Sequence, residues 1–158
     1  MSGEAPRSDS SSPDIAGTER VEGRLEAAQA PVMRIVFLGS PPFATPILER
    51  LLASSHDVVG LVTPPDRPRG RGRAVVRSEL AVAADQAGIG VLQPETTKDE
   101  AFVRALSAFE ADVLVVASYG EILRANVLEL CPHGALNVHA SLLPRWRGAS
   151  PIQRAIAD

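Results

Sequence analysis

The chain has 158 residues, of which 45% are apolar, and its formal charge at pH 7 is −3. Such a composition is typical of one globular domain, with or without a tail, that is large enough to bury a core. The single cysteine, Cys131, excludes an intrachain disulfide framework. No apolar run of about 20 residues occurs, and residues 1–20 lack the pattern of a secretory signal. The sequence therefore predicts a cytoplasmic protein without a membrane span.

The charge is distributed unevenly along the chain. Residues 1–31 carry the whole net charge of −3, and the remaining 127 residues hold equal numbers of basic and acidic side chains. A polar, serine-rich tract at 8–13 has almost nothing to bury. We predict a disordered extension over residues 1–32 and a folded domain over residues 33–158.

Short apolar strands alternate with amphipathic helices through the domain. The first strand is a near-continuous apolar run ended by Gly39, which is typical of a strand buried on both faces. Ser78 is a candidate N-cap, and Gly88 follows the last turn of the same helix. Strands are predicted at 33–39, 57–62, 91–92, 112–117 and 135–138, and helices at 44–52, 78–87, 98–109 and 148–157. The segment 63–77, rich in Pro, Gly and Arg, is predicted as a loop.

This alternation predicts an α/β fold, a Rossmann-like doubly wound parallel sheet covered on both faces. Ligands of such sheets bind beyond the carboxyl ends of the strands. Four segments should meet at that edge: 39–41, 63–77, 118–120 and 137–148. The first of them lacks the second and third glycines of G-x-G-x-x-G, which argues against a dinucleotide site, although a helix N-terminus there could still face an anion.

The predicted loop carries a strong positive charge. Residues 64–77 contain five arginines and one aspartate, so this segment is +4 in an otherwise neutral domain. Guanidinium groups pair with phosphate, and no aromatic side chain is present to stack on a base. The pattern favours backbone contact with a nucleic acid or a polyphosphate, and a solvated loop without a ligand is the alternative.

The segment 137–148 is the richest in chemistry. Asn137 and His139 lie two residues apart at the end of a strand, so both side chains should project to one side. A carboxamide and an imidazole can together hold a carbonyl oxygen as negative charge develops on it. A purely structural histidine is the alternative. Cys131, His133 and His139 do not match the spacing of a tetrahedral metal site, so no metal is predicted.

Four stretches of the chain resemble one family. Residues 137–144, Asn-Val-His-Ala-Ser-Leu-Leu-Pro, resemble the signature of the folate-dependent formyltransferases, and residues 34–41 resemble the opening strand of that family. The arginine-glycine loop at 65–72 and the stretch 145–153 are similar to the branch that formylates methionyl-tRNA. The resemblance implies transfer of a formyl group from 10-formyltetrahydrofolate to the free amino group of initiator methionyl-tRNA in translation initiation. We also expect a monomer with no membrane partner.

The resemblance carries roles to individual residues. Asn137 and His139 would flank the formyl carbonyl. Folate-binding positions would be Val116, Ala117, Ser118, Tyr119, Gly120, Ser141, Leu142, Leu143 and Pro144. The basic loop would approach the tRNA acceptor end through Arg67, Arg69, Arg71 and Arg73. Ser40, Ser118 and Ser150 stand where the family frequently has Thr, Ala and Ala.

The resemblance also indicates what the chain does not include. Family members continue further, and their third catalytic residue, an aspartate, belongs to that continuation. We therefore expect a partial N-terminal catalytic domain that is marginally stable or prone to aggregate by itself. Two alternatives remain open: a non-catalytic folate- or tRNA-binding remnant, and a formyltransferase that acts on an amino sugar or a nucleotide amine.

Overall fold

The computed structural model describes residues 31–69, 74–148 and 151–157. The predicted extension falls almost entirely on residues 1–30, which lie outside this part of the chain. The strands are β1 (Arg34–Gly39), β2 (Asp57–Val62), β3 (Pro68–Arg69), β4 (Ala74–Val75), β5 (Gly90–Leu92), β6 (Val113–Ala117) and β7 (Ala135–Asn137). The helices are α1 (Thr45–Leu52), α2 (Glu79–Ala87), α3 (Glu100–Ser107), α4 (Ala125–Leu128) and α5 (Pro151–Ala157). None of the described helices is long and apolar enough to cross a membrane.

A parallel sheet of five strands forms the centre of the domain. Its order is β5-β2-β1-β6-β7, and every neighbouring pair is parallel. The chain moves outward from β1 to β2 and β5, and then returns to the other side of β1 with β6 and β7. This order confirms the predicted doubly wound α/β fold, with the topological switch between β1 and β6.

The two faces of the sheet carry separate hydrophobic clusters. Ile35 and Phe37 of β1 face one cluster, which includes side chains of α1 and α2. The alternate residues Val36 and Leu38 face the other, which includes side chains of α3 and α4. Because both faces are covered, all four of these side chains are at most 3% exposed, and the strand has the continuous apolar sequence noted above.

The helix signals in the sequence were confirmed at α2. The Ser78 hydroxyl accepts a hydrogen bond from the amide of Ala81 at 3.2 Å, and Gly88 adopts the left-handed conformation with φ +71°. One other prediction was wrong in detail, because the predicted loop 63–77 contains the short antiparallel pair β3–β4. The segment between β6 and β7, for which no element was predicted, contains the single-turn helix α4, whose four residues are too few for a visible apolar period.

Three glycines are required by close packing. A Cβ at Gly39 would lie 2.6 Å from Ala44 Cβ, so the end of β1 can lie against the start of α1 only without a side chain there. Gly60 of β2 and Gly90 of β5 are neighbours in the sheet, and together they form a slot for the ring of Phe109. A Cβ on either glycine would come within 2.8 Å of that ring.

Candidate functional site

A hydrogen bond links the carboxyl ends of β1 and β6 at the topological switch point, where the order of the strands reverses. The Ser40 hydroxyl donates a hydrogen bond of 3.0 Å to the Tyr119 carbonyl, linking the two loops that leave these strands. Ser118 has φ +51° and Gly120 has φ +91°, so the chain turns sharply as it leaves β6. Crevices of doubly wound sheets form at such a point.

Beside the switch lies an open cavity of about 550 Å³. It is lined by residues of the α1 entry loop and of the loop after β7: Phe43, His139, Ala140, Ser141, Leu142 and Trp146. Two aromatic rings and one imidazole in one concave wall are typical of a small-molecule site, where apolar surface binds and a few polar groups orient the ligand.

A hydrogen-bond network fixes the imidazole of His139. Its Nδ1 lies 2.9 Å from the Ser141 hydroxyl oxygen. The same hydroxyl lies 3.0 Å from the carbonyl oxygen of Arg145 and 3.4 Å from that of Trp146. The ring of Trp146 is in turn covered by the Arg145 guanidinium, 4.1 Å from the ring centroid. The loop therefore closes on itself around the Ser141 hydroxyl.

Asn137 is the last residue of β7 and pairs with Val116 of β6. The ladder continues for one residue, because the Val138 amide donates to the Val116 carbonyl at 2.8 Å. Val138 packs against the cluster beneath α1 and α2, whereas Asn137 is exposed. The structure places His139 on the cavity wall, and Asn137 is not among the side chains that line this cavity.

The five predicted folate-binding residues from 116 to 120 differ in exposure. Ala117 and Tyr119 are buried in the two clusters, so their side chains belong to the core. Burial, together with the negative charge of Glu121, raises the pKa of Tyr119 to about 12. Ser118 and Gly120 are exposed. Contact with a ligand at this strand end would therefore involve backbone groups and these two positions.

The predicted folate-binding stretch 141–144 carries apolar surface into solvent. Leu142 is 80% exposed and Leu143 is 58% exposed, and Pro144 is also exposed. Leu142 lies on the cavity wall with His139. Exposed leucines beside an oriented polar group suit an organic ligand that has both a flat apolar part and a polar reacting atom.

The basic loop is described only at its two ends. Arg67 is exposed and pairs weakly with Glu95, at 3.9 Å. Arg69 belongs to β3, and Arg71 and Arg73 lie outside the described residues. Arg77 at the far end contacts carboxylates, since its guanidinium donates to Asp85 at 2.6 and 2.8 Å and lies 3.5 Å from Asp66. Arg77 thus anchors the end of the loop.

A second cavity, of about 250 Å³, lies at the start of this loop, between the ends of β1 and β2. Ser40, Thr63 and Arg67 are among the residues that line it. The hydroxyl of Thr63 is fully buried and has no hydrogen-bond partner among the described residues. A polar group or a bound water in this cavity would satisfy it.

Phe43 and Trp146 were not among the predicted site residues. Phe43 lies just beyond the predicted segment 39–41, and Trp146 lies within the predicted segment 137–148 without an assigned role. The signal that could have identified them is their position, because both follow strands whose carboxyl ends meet at the predicted edge. Cys131 lies elsewhere in the second cluster, where burial and nearby Asp112 raise the pKa of its thiol.

The fold and the site now define the class of protein. A model of the formyl transferase family matches residues 33–158, and the chain belongs to this family. Its relatives include methionyl-tRNA formyltransferases of Roseiflexus sp., 56% identical over 127 residues, and of Marinobacter nauticus, 53% identical over 125 residues. These alignments cover 80% and 79% of this chain but 39% and 40% of the relatives, so the chain spans about 40% of their length.

Solved structures show the same fold at lower sequence identity. A phosphoribosylglycinamide formyltransferase from Bacillus halodurans matches with a TM-score of 0.62 at 19% identity, over 78% of this chain and 65% of that one. A formyltetrahydrofolate deformylase from Pseudomonas syringae matches with a TM-score of 0.59 at 23% identity, over 81% and 42%. At this identity the likeness concerns the fold.

Proposed function

We propose that the chain is the amino-terminal catalytic part of an enzyme that transfers a formyl group from 10-formyltetrahydrofolate to the amino group of initiator methionyl-tRNA in the cytoplasm. The observation that carries the proposal is the imidazole of His139 on the wall of a cavity beside the switch point. The relatives that are 49–56% identical support the choice of acceptor over an amino sugar or a nucleotide amine.

Formyl transfer requires groups that bind the formyl carbonyl. The amine nitrogen forms a bond to the formyl carbon, the bond from that carbon to the donor nitrogen breaks, the attacking amine loses a proton, and the departing donor nitrogen gains one. Negative charge develops on the formyl oxygen during the attack. Asn137 would donate an N–H to this oxygen, and His139 would supply or accept a proton there. The folate would lie along the exposed leucines Leu142 and Leu143 and the turn at Ser118.

The aromatic wall of the cavity suits a methionyl group. Phe43 and Trp146 both contribute to it. A thioether packs favourably against aromatic rings, with the sulfur about 5 Å from the ring. The acceptor amine of a methionyl ester held there would lie in the same cavity as His139.

The basic loop supports an RNA substrate. Arg67 lines the second cavity, and its side chain is 75% exposed. Phosphate contacts by arginine give affinity without sequence readout. The loop of residues 67–73 would therefore hold the acceptor end while the methionyl group enters the cavity.

Binding can be tested directly on this chain. Trp146 is the single tryptophan and lines the cavity, so its fluorescence reports on occupancy. We expect a stable reduced-folate analogue of the donor to change this fluorescence in a saturable way. Replacement of Leu142 by Asp should weaken the effect, whereas the same replacement of exposed Val82 on α2 should not. An unchanged spectrum at millimolar analogue would contradict the folate site.

Catalysis is tested in a chimera, in which residues 33–158 replace the matching part of the Roseiflexus relative. We expect Asn137→Ala to lower kcat by about 10²–10³-fold and His139→Ala by about 10²–10⁴-fold, with smaller changes in KM. Asn126→Ala and His133→Ala, at exposed positions away from the cavity, are the matched controls. A folded chimera that formylates a free amino sugar but not methionyl-tRNA would refute the proposed acceptor.

A further inference from the structure

Ser141 has one hydroxyl proton and three neighbours that could receive it. Nδ1 of His139 lies at 2.9 Å, the Arg145 carbonyl oxygen at 3.0 Å and the Trp146 carbonyl oxygen at 3.4 Å. A carbonyl oxygen can only accept, whereas an imidazole nitrogen can either accept or donate. If the proton pointed at the ring, two carbonyl oxygens would face the lone pairs of the hydroxyl oxygen.

The arrangement that leaves only the more distant Trp146 carbonyl oxygen facing a lone pair has a single direction. The Ser141 hydroxyl donates to the Arg145 carbonyl and accepts from Nδ1–H of His139. The proton of the neutral ring is then on Nδ1, and the lone pair is on Nε2. Because Nδ1 is already engaged, Nε2 is the ring nitrogen that remains for a ligand in the cavity.

We infer that Ser141 is a positioning residue that selects the Nδ1–H form of His139 and so presents Nε2 as a proton acceptor to the cavity. The chemical consequence rests on the proposed function. Nε2 takes the proton that the attacking amine loses, and the resulting Nε2–H is then available to the negative formyl oxygen. One ring thus serves first as base and then as hydrogen-bond donor, and it returns the proton to the donor nitrogen as that nitrogen leaves.

His56 in the same chain is an internal reference for the tautomer of His139. The backbone amide of Met33 donates to Nδ1 of His56 at 3.3 Å. A backbone N–H can only donate, so the neutral ring of His56 carries its proton on Nε2. The inference therefore predicts opposite tautomers for His56 and His139 in one protein.

Long-range proton–nitrogen spectra of the ¹⁵N-labelled chain at about pH 8, where an ordinary imidazole is neutral, distinguish the two tautomers. His56→Gln and His133→Gln variants assign the signals. We expect the Nδ1–H pattern for His139 and the Nε2–H pattern for His56. Ser141→Ala should shift His139 toward a tautomer mixture, Ser141→Thr should preserve the Nδ1–H pattern, and His56 should remain unchanged as evidence of folding.

An Nε2–H pattern for His139 in the unsubstituted chain would overturn the inference, and so would an unchanged pattern in folded Ser141→Ala. The unsubstituted spectrum decides the direction of the bond even if the alanine variant does not fold. In the chimera, Ser141→Ala should lower kcat by about tenfold with little change in KM, as part of the roughly 10²–10⁴-fold that a positioned base contributes, and Ser141→Thr should restore it. An inactive chimera would count against the proposed function and leave the spectroscopic result intact.

Discussion

The packing of the Phe109 ring against Gly60 and Gly90 predicts an energetic coupling between positions 60 and 109. A Cβ at Gly60 would lie 2.7 Å from Cε1 and 2.8 Å from Cζ of Phe109, whereas ordinary contact begins at 3.4 Å. In Gly60→Ala the ring must move by about 0.7 Å, away from a position in which it also lies against Gly90. Such overpacking destabilises the fold by about 1–3 kcal/mol. Alanine also restricts the unfolded chain, which stabilises the folded state by about 0.4–1 kcal/mol. We expect a net loss of about 1 kcal/mol.

Phe109→Leu should relieve the clash. The single variant loses part of the ring's packing, at a cost of about 1–2 kcal/mol. In the double variant the new methyl group occupies space that the ring has left, so the two costs do not add. We expect a coupling free energy of about 1–2 kcal/mol.

Equilibrium unfolding in urea, followed by circular dichroism, measures these free energies. Gly120→Ala is the control, because its Cβ would meet no atom within 4 Å, so that its cost comes from its φ of +91°, and because it lies beyond the opposite end of β6 from Phe109. Its cost should add to that of Phe109→Leu. If the changes in the free energy of unfolding of Gly60→Ala and Phe109→Leu add within about 0.5 kcal/mol, the predicted contact between position 60 and the Phe109 ring is wrong.

Three further outcomes are expected. Hydrogen bonds from Thr97 lower the pKa of Glu121 below its ordinary 4.5, so the ionised carboxylate stabilises the fold above pH 4.5. This stabilisation is lost as the pH falls through the lowered pKa of the folded state. The free energy of unfolding, measured as a function of pH, should therefore fall less steeply in acid for Glu121→Gln. Arg67→Ala should reduce the slope of log K against log salt for RNA binding by about 0.7–0.9, and Arg104→Ala on α3 should leave it unchanged. Leu136, 57% exposed on edge strand β7, should promote association, so Leu136→Lys should lower the sedimentation-average mass at high concentration; an unchanged mass would contradict this.

The amino-acid sequence was sufficient to predict the five strands of the central sheet and the helices α1, α2, α3 and α5, but not β3, β4 or α4. The edge at which a ligand binds stays a prediction. The run at 57–62 predicted β2 without error in its bounds, because an apolar strand buried on both faces leaves an unbroken local pattern. The cap residue Ser78 and the terminating Gly88 acted as predicted, because capping involves residues within one turn of each other. The roles assigned to Asn137 and His139, to the folate-binding residues and to the basic loop all stay predictions.

Other features depend on residues that are distant in sequence. Phe43 and Trp146 share one cavity although about a hundred residues separate them, and only the position of β1 relative to β7 brings them together. The arginines of the loop have a common local pattern, but Arg77 donates hydrogen bonds to Asp85 of α2 and so holds the end of the loop in place. The sequence by itself determined the chemical groups and their edge of the sheet, because both follow from local pattern and strand direction. The tertiary structure decided which of those groups share a cavity and which groups surround the Ser141 hydroxyl, because hydrogen bonds and packing depend on distances that no local pattern encodes.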